Sequence, residues 1–456
     1  MSGIRDVVFL LVWLGLIPVS FFRPWIGILA WYWIAYMVPH GQTWGFARTL
    51  PVAVGIGGAT LLGFLLSSKD RKPLPRNPIT FFVLAFCVHF TLTTIVAYNP
   101  ELSWGKWNWV SKVILMTLVT MCLFQDRVRL RWLYMVPAVG LGFYGVKGAL
   151  WVFRTGGGQL VMGPDMSFFG DNNTLGLAMC MALPLLLYLA REEKRPWLKG
   201  ILQVTFGLSI IGILFTYSRG AFLGLLTILA VLIWRSPWRI RFATAILLIA
   251  LVGAPLAPER LWQRLESIGQ QESAETRDTS TVGRLEAWET GWKIALSRPF
   301  TGAGFRALHN EELWLIYFGQ NFYKVFDAHS IYFEVLSEHG FVGIGLYLGA
   351  LFSALLALRR IRKRWHGHPE HGYLSHYAEM TQLALCPFLI SGAFLGVAYF
   401  DLYFLLLGTT AVLYELSRVA QAAAVPAKAA QKSPSSAIAV RPRAVPVRPR
   451  RRPRHA

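Results

Sequence analysis

The run "FVGIGLYLGALFSALLAL", residues 341–358, contains no charged side chain. An apolar segment of this length can cross the hydrocarbon core of a bilayer as a helix. The basic stretch "RRIRKRW" (359–365) follows it, and the polar stretch "FDAHSIYFEVLSEHG" (326–340) precedes it. The run therefore predicts a transmembrane helix with a basic loop at one end and a histidine-bearing segment at the other.

The rest of the chain repeats this pattern. Of its 456 residues 54% are hydrophobic and only 15% are charged, and the mean hydropathy is +0.44. A soluble domain is nearer one quarter charged. We therefore expect an all-α polytopic integral membrane protein with about twelve or thirteen transmembrane helices, twelve if 4–22 and 25–39 form one kinked or hairpin unit. The predicted spans are 4–22, 25–39, 49–67, 79–97, 109–125, 130–152, 174–190, 200–216, 219–234, 241–257, 341–358, 381–398 and 401–418.

Lysine and arginine in the short loops predict the orientation. One set of alternate loops holds nineteen of them and the other set holds four. Basic loops face the cytoplasm, so the large loop between the tenth and eleventh spans is extracytoplasmic. The predicted domains are N-terminal transmembrane helices (1–257), this loop with short helices and a histidine (258–340), C-terminal transmembrane helices (341–418) and a disordered basic tail (419–456).

Two segments of the chain lie outside the spans and have a character of their own. In "RLEAWETGWKIALSRPF" (284–300), apolar residues recur at helical spacing, which predicts a helix lying in the headgroup region. The tail has nine basic and no acidic residues after 427. It is expected to attach to anionic lipids of the inner leaflet rather than to nucleic acid.

Several polar groups gather at span ends on the extracytoplasmic side. They are "GDNN" with Asp171 and Asn173, Arg219 in "YSRG", Arg284 and His329. Arginine suits bidentate binding of phosphate, and histidine suits proton transfer near neutral pH. Together they predict a site for a phosphate-bearing lipid whose leaving group is the phosphate.

Each of these groups also has an ordinary structural explanation. Arg219 would snorkel at a helix end, Arg284 would be a solvated loop residue, and His329 would neighbour a helix cap. Asp171 and Asn173 would serve a turn and an N-cap. The four histidines of "HGHPEHGYLSH" (366–376) match no strong metal-ligand spacing, so we expect neither a metal nor a cofactor.

The histidine segment resembles a known family. Bacterial O-antigen ligases carry, after a large periplasmic loop, His followed by Asn, Ser or Gln, nine residues, and Gly-x-x-Gly/Thr/Tyr. His329 and Ser330, "IYFEVLSEH", and Gly340 to Gly343 are similar to this signature throughout. Arg219 in "YSRGAFLG", Arg284 in "GRLEAW" and "GDNNTLGLA" resemble further family positions. The first third most resembles the O-glycosylation ligases that accompany exosortase A systems.

The resemblance implies a metal-independent glycosyltransferase of the bacterial inner membrane with its active site on the periplasmic side. The donor would be an oligosaccharide on undecaprenyl diphosphate, and the acceptor would be a hydroxyl of a protein or lipid. His329 would be the general base, and Arg219 and Arg284 would bind the leaving diphosphate. Asp327 or Glu338 would orient the imidazole, and Asp171, Asn173 and Ser330 would support the site.

Two alternatives stay open from the sequence. A polymerase of the same superfamily would use another lipid-linked repeat as its acceptor. A flippase or exporter of lipid-linked sugars would perform no covalent chemistry and would tolerate the loss of His329.

Overall fold

A computed structural model describes residues 3–67, 71–235, 279–319 and 324–432, together with 239–241, 244, 262 and 322. This described part is helical and contains no strand, which confirms the predicted all-α class. Short 3-10 turns occur at Pro39–Gln42, Phe46–Thr49, Ala307–His309 and Gly392–Phe394. The α-helices in chain order are α1 (Gly3–Phe22), α2 (Pro24–Met37), α3 (Val52–Leu66), α4 (Pro78–Ile95), α5 (Pro100–Leu123), α6 (Arg127–Thr155), α7 (Asn172–Glu192), α8 (Pro196–Leu214), α9 (Arg219–Arg235), α10 (Thr279–Ser297), α11 (Glu311–Tyr317), α12 (Ile331–Trp365), α13 (Gly372–Ser391) and α14 (Asp401–Lys432).

Seven of the described helices are long and apolar enough to cross a membrane: α1, α4, α6, α7, α8, α12 and, as far as Ala423, α14. The other predicted spans within the described residues are also helices, each shorter or more polar than these seven (α2, α3, α5, α9 and α13). The predicted span 241–257 lies outside the described residues except for 241 and 244. These helices confirm a polytopic membrane protein.

The first two predicted spans are separate helices. Asp6, near the start of α1, is buried, and its Oδ1 accepts hydrogen bonds from Gly45 N at 3.1 Å and Ala47 N at 3.0 Å. Those two residues belong to the connection between α2 and α3. Helix α1 therefore begins where α2 ends, and the two helices run in opposite directions, which excludes a single kinked helix and fits both the thirteen-span and the hairpin alternatives.

Three predicted boundaries are wrong. Helix α5 begins at Pro100 rather than near 109, because Asn99 caps it by accepting from Leu102 N at 3.1 Å. Helix α13 ends at Ser391, whereas the predicted span ran to 398. Helix α14 continues to Lys432, into the tail that was predicted to be disordered from 419, because its alanine-rich sequence favours helix. Residues 433–456 lie outside the described residues, and their attachment to lipid stays a prediction.

Most of the basic loops meet at one end of the helices, which we name the basic end. Residues from these loops and the adjoining helix ends make ion pairs and hydrogen bonds with one another. The contacts are Arg127–Glu192 (2.8 Å), Arg131–Glu193, Arg235–Glu379 (2.8 Å) and Lys72 Nζ to Gln125 O (3.0 Å). The opposite helix ends are joined by the segments 38–51, 96–99, 156–171, 215–218, 298–319, 324–330 and 392–400, and we name this end the histidine end. Contacts between these segments include Arg48–Asp165 (3.2 Å), Tyr98 N to Ala303 O (2.9 Å) and Val161 N to Phe215 O (3.1 Å).

Candidate functional site

His329 lies in a short segment that leads into α12 at the histidine end. Its side chain is exposed and its backbone is left-handed, with φ of 40°. Ser330 is the N-cap residue of α12, but its buried side chain makes no capping hydrogen bond. The segment is held by Trp288 of α10, whose Nε1 donates to Ala328 O at 2.7 Å. The imidazole is therefore presented outward from an anchored backbone.

Arg284 lies one turn before Trp288 on α10. The Trp288 ring stacks on Phe333 of α12, with ring centroids 5.0 Å apart. Gly283 is packed so tightly against the Phe326 ring that an added Cβ would clash with it. These contacts fix the start of α10 beside the histidine segment. They explain why the positive charge of Arg284, forty-five positions earlier in the chain, lowers the pKa of His329.

The helix that was predicted to lie in the headgroup region is α10. It buries Ala287 and Ile294 in a cluster with the loop that follows it. Leu285, Trp292 and Leu296 stay exposed, at 48%, 47% and 58% of their surface. An apolar face remains available to lipid headgroups, and the interfacial position stays a prediction.

Asp171 caps the N-terminus of α7. Its Oδ1 accepts from Asn173 N at 2.8 Å and from Thr174 N at 3.0 Å, so the ordinary capping explanation is correct for this side chain. Asn172, rather than Asn173, makes the tertiary contact, because its Nδ2 donates to Thr216 O at 2.8 Å. Asp171 is nevertheless close enough to His329 for its charge to raise the histidine's pKa.

Arg219 is the first residue of α9 and lies at the same end of the molecule. The next residue, Gly220, accepts a hydrogen bond through its carbonyl from Ser391 Oγ at 2.7 Å. Gly392, which follows Ser391, packs on Ile331, the first residue of α12. A Cβ added to Gly392 would lie 2.9 Å from Cδ1 of Ile331. Arg219 is thus connected through α13 to the start of α12, which His329 precedes.

The charges around His329 set its protonation state. Although the side chain is partly exposed, burial of the rest of the ring lowers its pKa below the usual value of 6.5. Asp327 and Asp171 oppose this shift, whereas Arg284 and the nearby His309 add to it. The imidazole is therefore neutral at neutral pH, the form that can accept a proton.

Glu338 was one of two alternatives, with Asp327, for orienting His329, but its carboxylate binds other groups. Its Oε1 accepts from Arg306 N at 2.6 Å, and its Oε2 accepts from the Tyr399 hydroxyl. Asp327 keeps the orienting role as a prediction, since its charge acts on His329. Its Oδ1 accepts from Ala328 N at 2.7 Å, which holds the carboxylate beside the histidine backbone.

Sequence reasoning counted Lys106 only as a loop charge and did not include it among the candidate site residues. Lys106 lies within α5, and its Nζ is 5.3 Å from the Tyr399 ring and 4.7 Å from the Trp109 ring. Its positive charge interacts favourably with the buried carboxylates of Glu334 and Glu338. The predicted span began at 109 and therefore left Lys106 outside the helix. The pair Asn99–Pro100, which favours a helix start, is the sequence signal that could have placed Lys106 within it.

The two glycines of the histidine signature have a structural cause. Gly340 interrupts α12 with φ of 66° and ψ of −169°, a conformation that is available almost only to glycine. An added Cβ would lie 2.5 Å from Pro299 O, and that carbonyl accepts from Phe341 N at 2.8 Å. A Cβ on Gly343 would clash with His339. The spacing of the signature therefore sets a break in the helix.

The described residues also form an apolar groove of about 570 Å³. It runs between α2, α3 and α5 and reaches Trp109, Phe168 and Asp401 at the histidine end. Trp109 stacks on Phe168, with ring centroids 5.1 Å apart, and it also lies under Lys106. The groove thus places apolar surface next to Lys106.

Comparison with protein families matches two regions of the chain. Residues 204–348 match the family model described as O-antigen ligase. This match supports membership of the O-antigen ligase superfamily. Residues 4–194 match a family of unknown function (DUF5935). Among curated proteins the comparison gives no match.

The O-antigen ligase region contains Arg219, Arg284, His329 and the glycines of the signature. Asp171, Asn173 and Lys106 lie in the other matched region. The family supports a membrane ligase with a glycosyltransferase-like role, a lipid-linked glycan donor and an acceptor. The candidate site therefore draws its groups from both matched regions.

Proposed function

We propose that this protein transfers a preassembled oligosaccharide from undecaprenyl diphosphate to an acceptor hydroxyl on the periplasmic face of the bacterial inner membrane. The observation that carries the proposal is the hydrogen bond from Trp288 Nε1 to Ala328 O (2.7 Å), which ties the His329 segment to the helix that bears Arg284, at the end opposite the basic loops. Basic loops favour the cytoplasm. A site at the other end would face the periplasm, where lipid-linked glycans are consumed.

The reaction is a single displacement. His329 takes the proton from the acceptor hydroxyl as its oxygen attacks the anomeric carbon. The bond between that carbon and the diphosphate oxygen breaks, and its electron pair leaves with the diphosphate. Attack from the opposite face inverts the anomeric configuration.

Arg219 and Arg284 would bind the diphosphate. Negative charge grows on the bridging oxygen as it departs, so guanidinium groups stabilise the transition state more than the ground state. Arg284 lies one turn before Trp288, whose Nε1 donates to Ala328 O beside His329. The apolar groove that Trp109 and Phe168 line at the histidine end would suit a substrate with a hydrocarbon chain.

The test is glycan transfer by membranes that contain His329→Ala, with His371→Ala at the basic end as the matched control. We expect the first variant to lose about 10²–10⁴-fold in rate, the usual contribution of a positioned base, and the control to keep its rate. Expression and membrane insertion of both should match the unmodified chain. A fully active His329→Ala protein would overturn the enzyme proposal and favour the flippase.

The polymerase alternative is separated by the glycan products. Loss of a ligase leaves complete glycan on the lipid carrier, whereas loss of a polymerase leaves single repeats attached to the acceptor. The Arg284→Lys variant sharpens the assignment, since lysine keeps the charge but loses the bidentate fork. We expect it to retain part of the activity that Arg284→Ala loses.

A further inference from the structure

The turn at residues 302–309 has a strained backbone. Gly302, Gly304 and Arg306 are all left-handed, with φ of 58°, 87° and 59°. Glycine adopts this conformation readily, whereas arginine does not. An arginine at the third position therefore has a cost that the fold alone would avoid by using glycine.

The α12 helix imposes this conformation. Its main chain and the Glu338 carboxylate accept hydrogen bonds from the turn. The bonds are Ala303 N to Ser337 O (3.0 Å), Gly304 N to Glu338 O (2.9 Å) and Arg306 N to Glu338 Oε1 (2.6 Å). The backbone of the turn is thus occupied, while the side chains of Arg306 and His309 are exposed.

These two side chains continue the candidate site. The pKa of His309 responds to the charges of Asp327, Arg306 and Lys106, in decreasing order after burial. His309 in turn acts on His329. The geometry agrees, because Glu338 accepts hydrogen bonds from both Arg306 N and the Tyr399 hydroxyl, and Lys106 Nζ lies 5.3 Å from the Tyr399 ring. His309 N donates to Arg306 O at 2.9 Å. Three basic groups from α5 and the turn are therefore neighbours, on elements other than the α9 and α10 helices that carry Arg219 and Arg284.

We propose that Arg306 and His309, together with Lys106, form a second anion-binding subsite for a phosphate or carboxylate group of a substrate held at His329. This deepens the proposed function and depends on it for the identity of that substrate. A planar guanidinium on a pinned backbone binds such groups with two parallel hydrogen bonds and little loss of freedom. The anion is either the donor diphosphate or an acidic group of the glycan or acceptor.

Binding to the purified full-length chain in lipid nanodiscs distinguishes these sources. Inorganic diphosphate and glucuronate serve as probes, and titration calorimetry measures their affinity. Arg306→Gly removes the guanidinium and also relieves the backbone strain, so its unfolding temperature should equal or exceed that of the unmodified chain. We expect it to weaken at least one probe about tenfold or more, as for loss of a charge-assisted hydrogen bond.

Loss of diphosphate affinity assigns the subsite to the donor, and loss of glucuronate affinity assigns it to an acidic sugar or acceptor. Arg306→Lys should bind with intermediate affinity. Lys293→Gln, on α10 and paired with Glu289 at 2.7 Å, is the control and should change neither affinity. If Arg306→Gly binds both probes as the unmodified chain does, or if the unmodified chain binds neither, the subsite is refuted.

The subsite and the general-base assignment can fail separately in this experiment. His329→Ala removes the general base but keeps Arg306, so we expect it to bind the probe normally while transfer is lost. If His329→Ala stays active while Arg306→Gly loses probe binding, the subsite stands and the base assignment fails. If His329→Ala loses transfer while Arg306→Gly keeps probe binding, only the subsite is refuted.

Discussion

Helix α12 has two parts with different chemistry on either side of Gly340. The part before it, 331–339, buries Glu334, Glu338 and His339. The part after it, 341–365, is apolar until its basic end. The first part is therefore held by hydrogen bonds to neighbouring loops, and the second by side-chain packing within the bundle. One helix therefore combines a segment long and apolar enough to cross a membrane with a segment that supports the candidate site.

Replacing Gly340 with alanine should have the largest effect, because it attacks the junction between the two parts. Alanine at this φ and ψ costs about 1–3 kcal/mol, and the contact with Pro299 O adds to that. We expect loss of both thermal stability and transfer activity, measured on purified protein. Gly345→Ala is the control, since an added Cβ there meets nothing within 4 Å. Equal behaviour of the two variants would contradict the helix break.

Replacing Glu338 with alanine should have the next largest effect and should lower the activity of the candidate site. It leaves Arg306 N and the Tyr399 hydroxyl without their acceptor, at about 1–3 kcal/mol for each buried group. Glu338→Gln keeps an acceptor and should recover part of the loss. We expect the activity per folded molecule to fall, as measured by transfer rate against the fraction folded.

Replacing Leu358 with alanine, in the second part of α12, gives the contrast. Leu358 is fully buried, so the change leaves a cavity and lowers the unfolding temperature. The activity per folded molecule should stay unchanged. A selective loss of activity in this variant would show that the two parts do not differ as described.

A smaller effect is expected in the pH dependence of the transfer rate, which depends on residues of the segment before α12. Because burial lowers the pKa of His329, activity should persist on acidification to below pH 6.5. Asp327→Asn removes a charge that raises this pKa, so the acidic limb of the rate profile should move to still lower pH. Movement to higher pH in this variant would contradict the placement of Asp327. The profile is measured with saturating donor, and the unfolding temperature is followed in parallel.

Local sequence patterns predicted much of the helical architecture. Apolar length predicted a polytopic helical protein, and the basic loops correctly indicated one common end. Capping chemistry at Asp171 was also readable, because an N-cap depends on residues within one turn. The same local information was misread at α5, where Asn99 and Pro100 start the helix nine positions earlier than the apolar run suggests.

The apolar pattern of the chain alone predicts where it passes between polar and apolar surroundings. The packing of the helices, in contrast, brings Glu338 to the Arg306 turn, Lys106 to Tyr399, and the helix that bears Arg284 to the His329 segment. The physical reason is the separation along the chain of the residues that interact. Helix formation and capping are decided within a few residues, whereas each of these contacts joins positions that are 32 to 293 apart in the chain and depends on how whole helices pack.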